Sequence, residues 1–326
     1  MRNKYWTVLL IMLSLVFIIL LSQFIYTANG LKVSVDKLEE VNNKSTYSKK
    51  HLVLIAQEYG NPYWTAIGTG AKDAGEKFDI YVEYRGPIQS NMDEQLKLLE
   101  KSIAENVDGI LVQSLNNEKF TPLINKAMSK GIPVITIDTD APSSNRLSYV
   151  GTDNYYAGQE LGNKVIKETN GKGKVGVIIG DLTAENQKLR LNGLQSVIEK
   201  QPNMEIIEVL PSNISRIKAG QQAEKILRNN PEITILVGTS ALDAVGMIEA
   251  TENLNRTDVQ IFGFDNVDDT LQAINEKKIA ATLAQMPYQI GYKSVSLMND
   301  YIKGIPIPNE AFTDITIIDS TNVNLE

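Results

Sequence analysis

The stretch HLVLIAQEYGNPYW, residues 51–64, decides how the chain is read. Its run Leu52-Val53-Leu54-Ile55 lies between polar residues and is too short for a helix, so it reads as a strand buried on both faces. Asn61 is a favoured helix N-cap and Pro62 a favoured first helical residue, so the chain passes here from strand to helix. Tyr63 and Trp64 follow at once. An amide and two flat apolar rings therefore stand beyond the C-terminal end of a strand, where open α/β sheets bind their ligands.

The same pattern recurs downstream. Strands are expected at 51–57, 80–84, 109–113, 133–138 and 147–150, and a second series at 175–180, 205–210, 233–237, 259–264 and 281–285. Helices fill the gaps of the second series, around 155–169, 185–200, 215–229, 240–254, 268–276 and 288–303. In the helix after Ser90, the residues Met92, Leu96, Leu99 and Ile103 recur at helical spacing, and Ser90 with Asp93 resembles a capping box. Strict alternation of helices with continuously apolar strands predicts parallel sheets covered on both faces. Two series of about five strands predict an α/β protein of two doubly wound lobes.

Composition narrows the function. A length of 326 residues fits about two domains, and 43% apolar residues suffice for a core. The net charge is -7, and the basic residues form no run longer than a pair such as Lys49-Lys50, which argues against a nucleic-acid partner. The chain has no cysteine and one histidine, His51, which removes a thiol nucleophile, disulfides, a lipobox and the usual zinc sites. No cofactor is implied.

Residues 1–4 read as a cytoplasmic tip carrying Arg2 and Lys4. The near-continuous apolar run 5–26 is about long enough to span a hydrocarbon core of roughly 30 Å, so it is expected to anchor the chain in the cell membrane with everything after it outside. A cleaved signal peptide is the rival reading, with Ala28-Asn29-Gly30 as its site, but the run exceeds the usual signal-peptide length. Residues 27–50 form a polar stalk. Within it Ala28, Leu31, Val35 and Leu38 make a short heptad stripe through which two copies could pair, and a flexible tether is the alternative.

The polar residues at strand ends carry the functional argument. Gln113 ends ILVQ, Asp138 ends PVITID, Asp265 ends IFGFD and Gln285 ends ATLAQ. With Asn61, five strand ends stop on side chains that can bond hydroxyl groups, and they are divided between the two series. Tyr63 and Trp64 supply rings for C–H faces. The competing reading is that each merely caps the next helix. Five together favour a ligand cleft.

At this point the chain resembles a family. NPYW (61–64), DGILVQ (108–113), GIPVITID (131–138), VGTDN (150–154), RLNG (190–193), IFGFD (261–265) and ATLAQMPYQIG (281–291) are similar, in order and spacing, to the type I periplasmic binding proteins of the ribose- and galactose-binding group. The resemblance runs from His51 to about Asn322. It implies two lobes, 51–152 with 286–312 and 153–285 with 313–326, joined by crossovers near 152, 285 and 312 and closing by hinge motion. It also implies that Asn61, Tyr63, Trp64, Gln113, Asp138 and Thr139 bind from the first lobe. Asn186, Arg190, Ser240 and Asp265 would bind from the second, with Gln285 at the hinge. Three departures leave the hydroxyl pattern open. Thr139 stands where many members have arginine, Lys188 where ribose binders place arginine, and Ser240 where they place asparagine. A neutral aldose fits best, and a pentose such as xylose is compatible.

Other chemistry fits less well. Paired carboxylates such as Asp138 and Asp265 can cleave glycosides, yet sugar-bound carboxylates need no catalytic role and the resemblance is to non-enzymes. His51 opens a strand whose other end faces the cleft, so it reads as a surface or stalk residue. GTGAKDAG (68–75) has the wrong spacing for a dinucleotide fingerprint and reads as close helix packing, and GKGK (171–174) reads as a loop. Two partner classes remain for a sugar receptor: a membrane sensor histidine kinase, favoured by the anchor and stalk, or the permease of an ABC importer.

Overall fold

The structure, a computed structural model, describes residues 49–325; the expected anchor and nearly all of the stalk lie outside them. Among the described residues no helix is long and apolar enough to cross a membrane. Along the chain come β1 (Lys50–Ile55), α1 (Pro62–Phe78), β2 (Ile80–Arg85), α2 (Met92–Ala104), β3 (Gly109–Val112), α3 (Asn117–Ser129), β4 (Val134–Ile137) and β5 (Ser148–Thr152). Then follow α4 (Asn154–Glu168), β6 (Lys172–Ile179), α5 (Glu185–Ile198), β7 (Asn203–Pro211), α6 (Arg216–Asn229), β8 (Ile233–Gly238) and α7 (Asp243–Asn253). The chain continues with β9 (Gln260–Phe264), α8 (Asp268–Asn275), β10 (Ala281–Gln285), α9 (Pro287–Ile302), β11 (Glu310–Thr313), β12 (Ile315–Asp319) and a final 3-10 turn, Val323–Leu325.

These strands form two sheets of six, ordered β11-β5-β4-β3-β1-β2 and β12-β10-β9-β8-β6-β7. The central strands are apolar throughout and buried on both faces, as Leu52, Val53, Leu54 and Ile55 show. Separate cores lie on either face of each sheet, with Trp64 and Ile67 of α1 against one face of the first and Phe120 and Ile124 of α3 against the other.

Several expectations need correction. Each sheet has a sixth strand, because EAFTDITIID supplies β11 and β12 with only Asp314 between them. β12 runs antiparallel to β10, so the second sheet is not wholly parallel. As a half-buried edge strand it lacks the apolar run that marks the central ones. Strand β1 stops at Ile55 rather than 57, and Lys50, assigned to the stalk, already belongs to it. The GKGK stretch is not all loop, since Lys172 opens β6 and Lys174 pairs with Glu205 on β7. The cap of α2 is Asn91, whose side chain accepts from the Glu94 N–H at 3.1 Å, one residue beyond Ser90.

The chain passes between sheets three times, from β5 to α4, from β10 to α9 and from β11 to β12. Glycines set the packing of the helices that flank these passages. A Cβ on Gly70 of α1 would lie 2.0 Å from the Tyr288 carbonyl oxygen, and one on Gly291 of α9 would lie 1.9 Å from that of Ile67. The stretch GTGAKDAG thus serves close packing, as the sequence suggests. Gly158 and Gly193 do the same between α4 and α5. Gly70→Ala is therefore expected to destabilise the protein by roughly 1–3 kcal/mol, because backbone rather than a flexible side chain must give way. Urea unfolding measures this, and an unchanged midpoint would show that α1 and α9 can separate freely.

Candidate ligand-binding cleft

The two sheets end on the same device. Strand β4 stops at Ile137, and Asp138 turns into the left-handed region at φ 61°; β9 stops at Phe264, and Asp265 does likewise at φ 66°. Aspartate is one of the few residues that takes this conformation readily. Each turn is pinned by a ladder-like bond to the neighbouring strand, from Asp138 N–H to Val150 O at 3.0 Å and from Asp265 N–H to Leu283 O at 2.7 Å.

Asp138 is held by its own lobe. It accepts from the Tyr63 hydroxyl at 2.6 Å, the Gln113 amide at 2.7 Å and the Thr139 hydroxyl at 3.0 Å. Gln113 Nε2 also approaches Thr139 Oγ1 and Gln57 Oε1, which leaves Gln113 Oε1 buried without a partner. A buried acceptor of this kind is costly unless something donates to it. Burial, and then the Asp138 charge, hold the Tyr63 phenol well above its ordinary range, so it stays a neutral donor.

In the second lobe Gln285 joins the parts. Its Nε2 donates to Asp265 at 2.8 Å, and its Oε1 accepts from Thr152 Oγ1 at 2.7 Å and from Arg190 at 3.0 Å. Arg190 also donates to Asn154 Oδ1 at 2.8 Å and to the Thr239 carbonyl at 2.9 Å, with its guanidinium 3.8 Å above the Phe264 ring centre. Burial pushes the Asp265 carboxyl above the usual carboxylate range, the Arg190 charge and the Gln285 bond oppose this, and Asp138 adds to it. The acids of the two lobes therefore feel each other.

These side chains line a cavity of about 480 Å³, within the range of small-molecule sites. Ten of the eleven expected residues lie on its wall: Asn61, Tyr63, Trp64, Gln113, Asp138, Thr139, Asn186, Arg190, Asp265 and Gln285. Ser240 does not; it is buried with its N–H held by Asp243 at 2.8 Å, and its neighbour Ala241 lines the wall instead. The capping alternative holds for Asn61, whose Oδ1 accepts from the Tyr63 N–H at 3.0 Å while the residue also faces the cavity. The other four strand-end residues cap no helix. Lys188 turns to Glu185 at 4.0 Å. His51 sits at the far end of β1, 2.9 Å from Glu83.

The loop residues Glu58, Asp181, Asn213 and Ile214 and the first residue of α2, Met92, help to complete the wall. Asp181 follows the strand VGVIIG, so the strand-end rule could have found it. Nothing in the sequence marks Ile214. Among the described residues no cluster of acids and histidine is arranged to hold a metal ion.

The comparisons agree with this geometry. The periplasmic binding protein domain family matches residues 52–306. GanP, a glucose-galactose binding protein from Geobacillus stearothermophilus, is 40% identical with a TM-score of 0.82, over 84% of this chain and 98% of that one. The XylFII–LytSN complex contains a chain 35% identical with a TM-score of 0.77, over 84% of this chain and 98% of that one. The ribose import binding protein RbsB of Escherichia coli (strain K12) is 23% identical over 286 residues, 88% of this chain and 96% of its own length. The chain belongs to the type I periplasmic sugar-binding proteins, a family of binding proteins and not of enzymes.

Arg190→Met is expected to cost about 3 kcal/mol, because it strands the buried Asn154 Oδ1 and Thr239 carbonyl acceptors and leaves Asp265 without its countercharge. Asp265 is raised in the folded state, so the native protein holds its proton above the unfolded pKa and stability falls as pH rises through that interval. Removing Arg190 raises Asp265 further. The loss in urea unfolding is therefore expected to be larger at about pH 7.5 than at about pH 5; an equal loss at both would show that Arg190 does not act on Asp265.

Proposed function

We propose that the protein is an extracytoplasmic receptor for a monosaccharide, best a neutral aldose, with a pentose such as xylose compatible, that reports its ligand to a membrane sensor histidine kinase. The observation that carries the sugar reading is the pairing of left-handed Asp138 and Asp265 at equivalent strand ends of two lobes. Amides, an arginine and the Tyr63 and Trp64 rings surround them in one cavity. Carboxylates and amides match hydroxyl edges, and rings match the C–H faces of a pyranose or furanose. GanP is named for glucose and galactose and RbsB for ribose, which supports an aldose without choosing one.

The working division is a cytoplasmic tip (1–4), an anchor (5–26), a stalk (27–50) and two lobes, 51–152 with 286–312 and 153–285 with 313–326. The kinase reading is supported by the apolar run ahead of the stalk and by the existence of the XylFII–LytSN complex, in which a chain of this fold is held by a second protein. The second reading, the binding component of an ABC sugar importer, is favoured by RbsB, an import binding protein matched over nearly its whole length.

A thermal-shift screen of the full-length protein in detergent against pentoses, hexoses, polyols and nucleosides tests the sugar. A ligand at about 100 times its dissociation constant adds roughly 2.7 kcal/mol and raises the melting temperature by several degrees. The shift is expected with one or two aldoses and is expected to vanish in Asp138→Ala and Trp64→Ala. No shift with any sugar would remove the sugar reading. For the partner, exchanging residues 1–30 for a lipid-modified leader is expected to abolish sugar-dependent signalling while leaving any uptake intact; signalling that survives would make the anchor a tether only.

A further inference from the structure

The loop between β7 and α6 holds two consecutive residues in the left-handed region, Asn213 at φ 53° and Ile214 at φ 53°. Asparagine tolerates this conformation. A β-branched isoleucine does not, and it persists there only where its surroundings impose it. Both residues line the cleft. The constraint comes from below. The Ser212 hydroxyl accepts the Ile214 N–H at 3.1 Å and donates to Asp243 Oδ1 at 2.6 Å. Asp243 lies fully buried at the first turn of α7, outside the cleft wall, and its other oxygen accepts the N–H groups of Thr239 at 3.2 Å and Ser240 at 2.8 Å. The Ser212 N–H itself bonds Ile179 O at 2.9 Å. One carboxylate thereby ties together the cleft ends of β6, β7 and β8.

We infer that Asp243, acting through Ser212, is a positioning residue that holds Ile214 in its left-handed conformation, shapes the second-lobe wall of the sugar site and weakens sugar binding when it takes up a proton. The inference rests on the sugar reading for its ligand, but the latch itself does not. An ionised carboxylate accepts the three donors in charge-assisted bonds, whereas the protonated acid keeps them only as weaker neutral bonds and must also place its own proton. Burial pushes Asp243 up to about 6, against the hydrogen bonds from Ser212, Ser240 and Thr239, so the change falls in an accessible range. Arg216 and Arg190, on neighbouring helices, are engaged elsewhere. Arg216 of α6 pairs with Glu249 of α7 and Asp269 of α8, and Arg190 of α5 is held by Asn154, Gln285 and the Thr239 carbonyl.

The test has two arms on the full-length protein. The first follows hydrogen exchange at the Ile214 amide in the ligand-free state, in wild type and in Ser212→Ala, which removes one oxygen. The rate is expected to rise by about tenfold or more in the variant. The second arm titrates D-xylose, L-arabinose, D-ribose, D-glucose and D-galactose calorimetrically. Binding of the tightest sugar is expected to weaken about fivefold in Ser212→Ala at about pH 7.5. Wild-type binding is expected to weaken by a similar factor as pH falls from about 7.5 to about 5, and the variant by less. Because the cleft carries Asp138, Asp265, Glu58 and Asp181 as well, the difference between the two proteins is what reports Asp243. Ile214→Gly needs no constraint to hold φ above zero, so adding Ser212→Ala to it should leave affinity unchanged. Unchanged exchange in Ser212→Ala overturns the latch, as does a variant that keeps the full wild-type pH dependence. If wild type binds none of the five sugars, the sugar reading falls and the exchange arm decides the latch alone.

Discussion

The buried Arg190 guanidinium is the interaction on which the rest of the site depends. A charged fork that is 3% exposed is tolerable only when its donors are met and its charge is balanced. Here the donors go to Asn154, Thr239 and Gln285, which belong to α4, the β8–α7 turn and the end of β10. The charge is offset by Asp265, whose rise it moderates, and it also acts on Tyr63, the donor to Asp138. Arginine suits this role because its planar fork meets several fixed acceptors at once and stacks on Phe264, which a lysine could not do.

Two chain passages are stitched to that centre. Asn154 opens the helix just after β5, and its Nδ2 donates to the Thr152 carbonyl at 3.0 Å and to the Tyr149 hydroxyl at 3.2 Å. Tyr149 in turn donates to the Asp138 carbonyl at 2.8 Å. A continuous set of hydrogen bonds thus runs from Asp138 in the first sheet through Tyr149, Asn154, Arg190 and Gln285 to Asp265 in the second. Polar groups in such a network polarise one another and are expensive to leave unpaired, so the two cavity-lining acids and the passages between lobes are set together.

Much of this was legible in the sequence, for identifiable reasons. Continuously apolar strands such as LVLI, ILV and VITI show their burial on both faces directly, and a polar residue closing such a run has few places to go except the sheet's C-terminal edge. Asn61-Pro62 marked a helix start by chemistry alone. What stayed hidden depends on long-range pairing. β12 is an edge strand whose half-buried pattern is that of many surface segments. Ser240 was placed on the wall by family position, but Asp243 draws its N–H inward and Ala241 faces the cavity instead. The left-handed backbone of Asp138 and Asp265 shows only once β5 and β10 lie alongside to take their N–H groups.

The two acids also differ in what they leave for a ligand. Asp138 already accepts three donors from its own lobe, while the side chain of Asp265 accepts one, from Gln285. A carboxylate offers about four acceptor positions, so Asp265 has more capacity for hydroxyl groups than Asp138. The first lobe compensates with the unpaired Gln113 Oε1 and the Tyr63 and Trp64 rings. A small polyhydroxylated ring placed here meets apolar faces and a few fixed acceptors on one side, and a more open carboxylate beside an arginine on the other. Because Gln285 carries both the Asp265 bond and the links to Thr152 and Arg190, a hydroxyl that competes for Asp265 acts on the same amide that fixes the passage from β10 to α9.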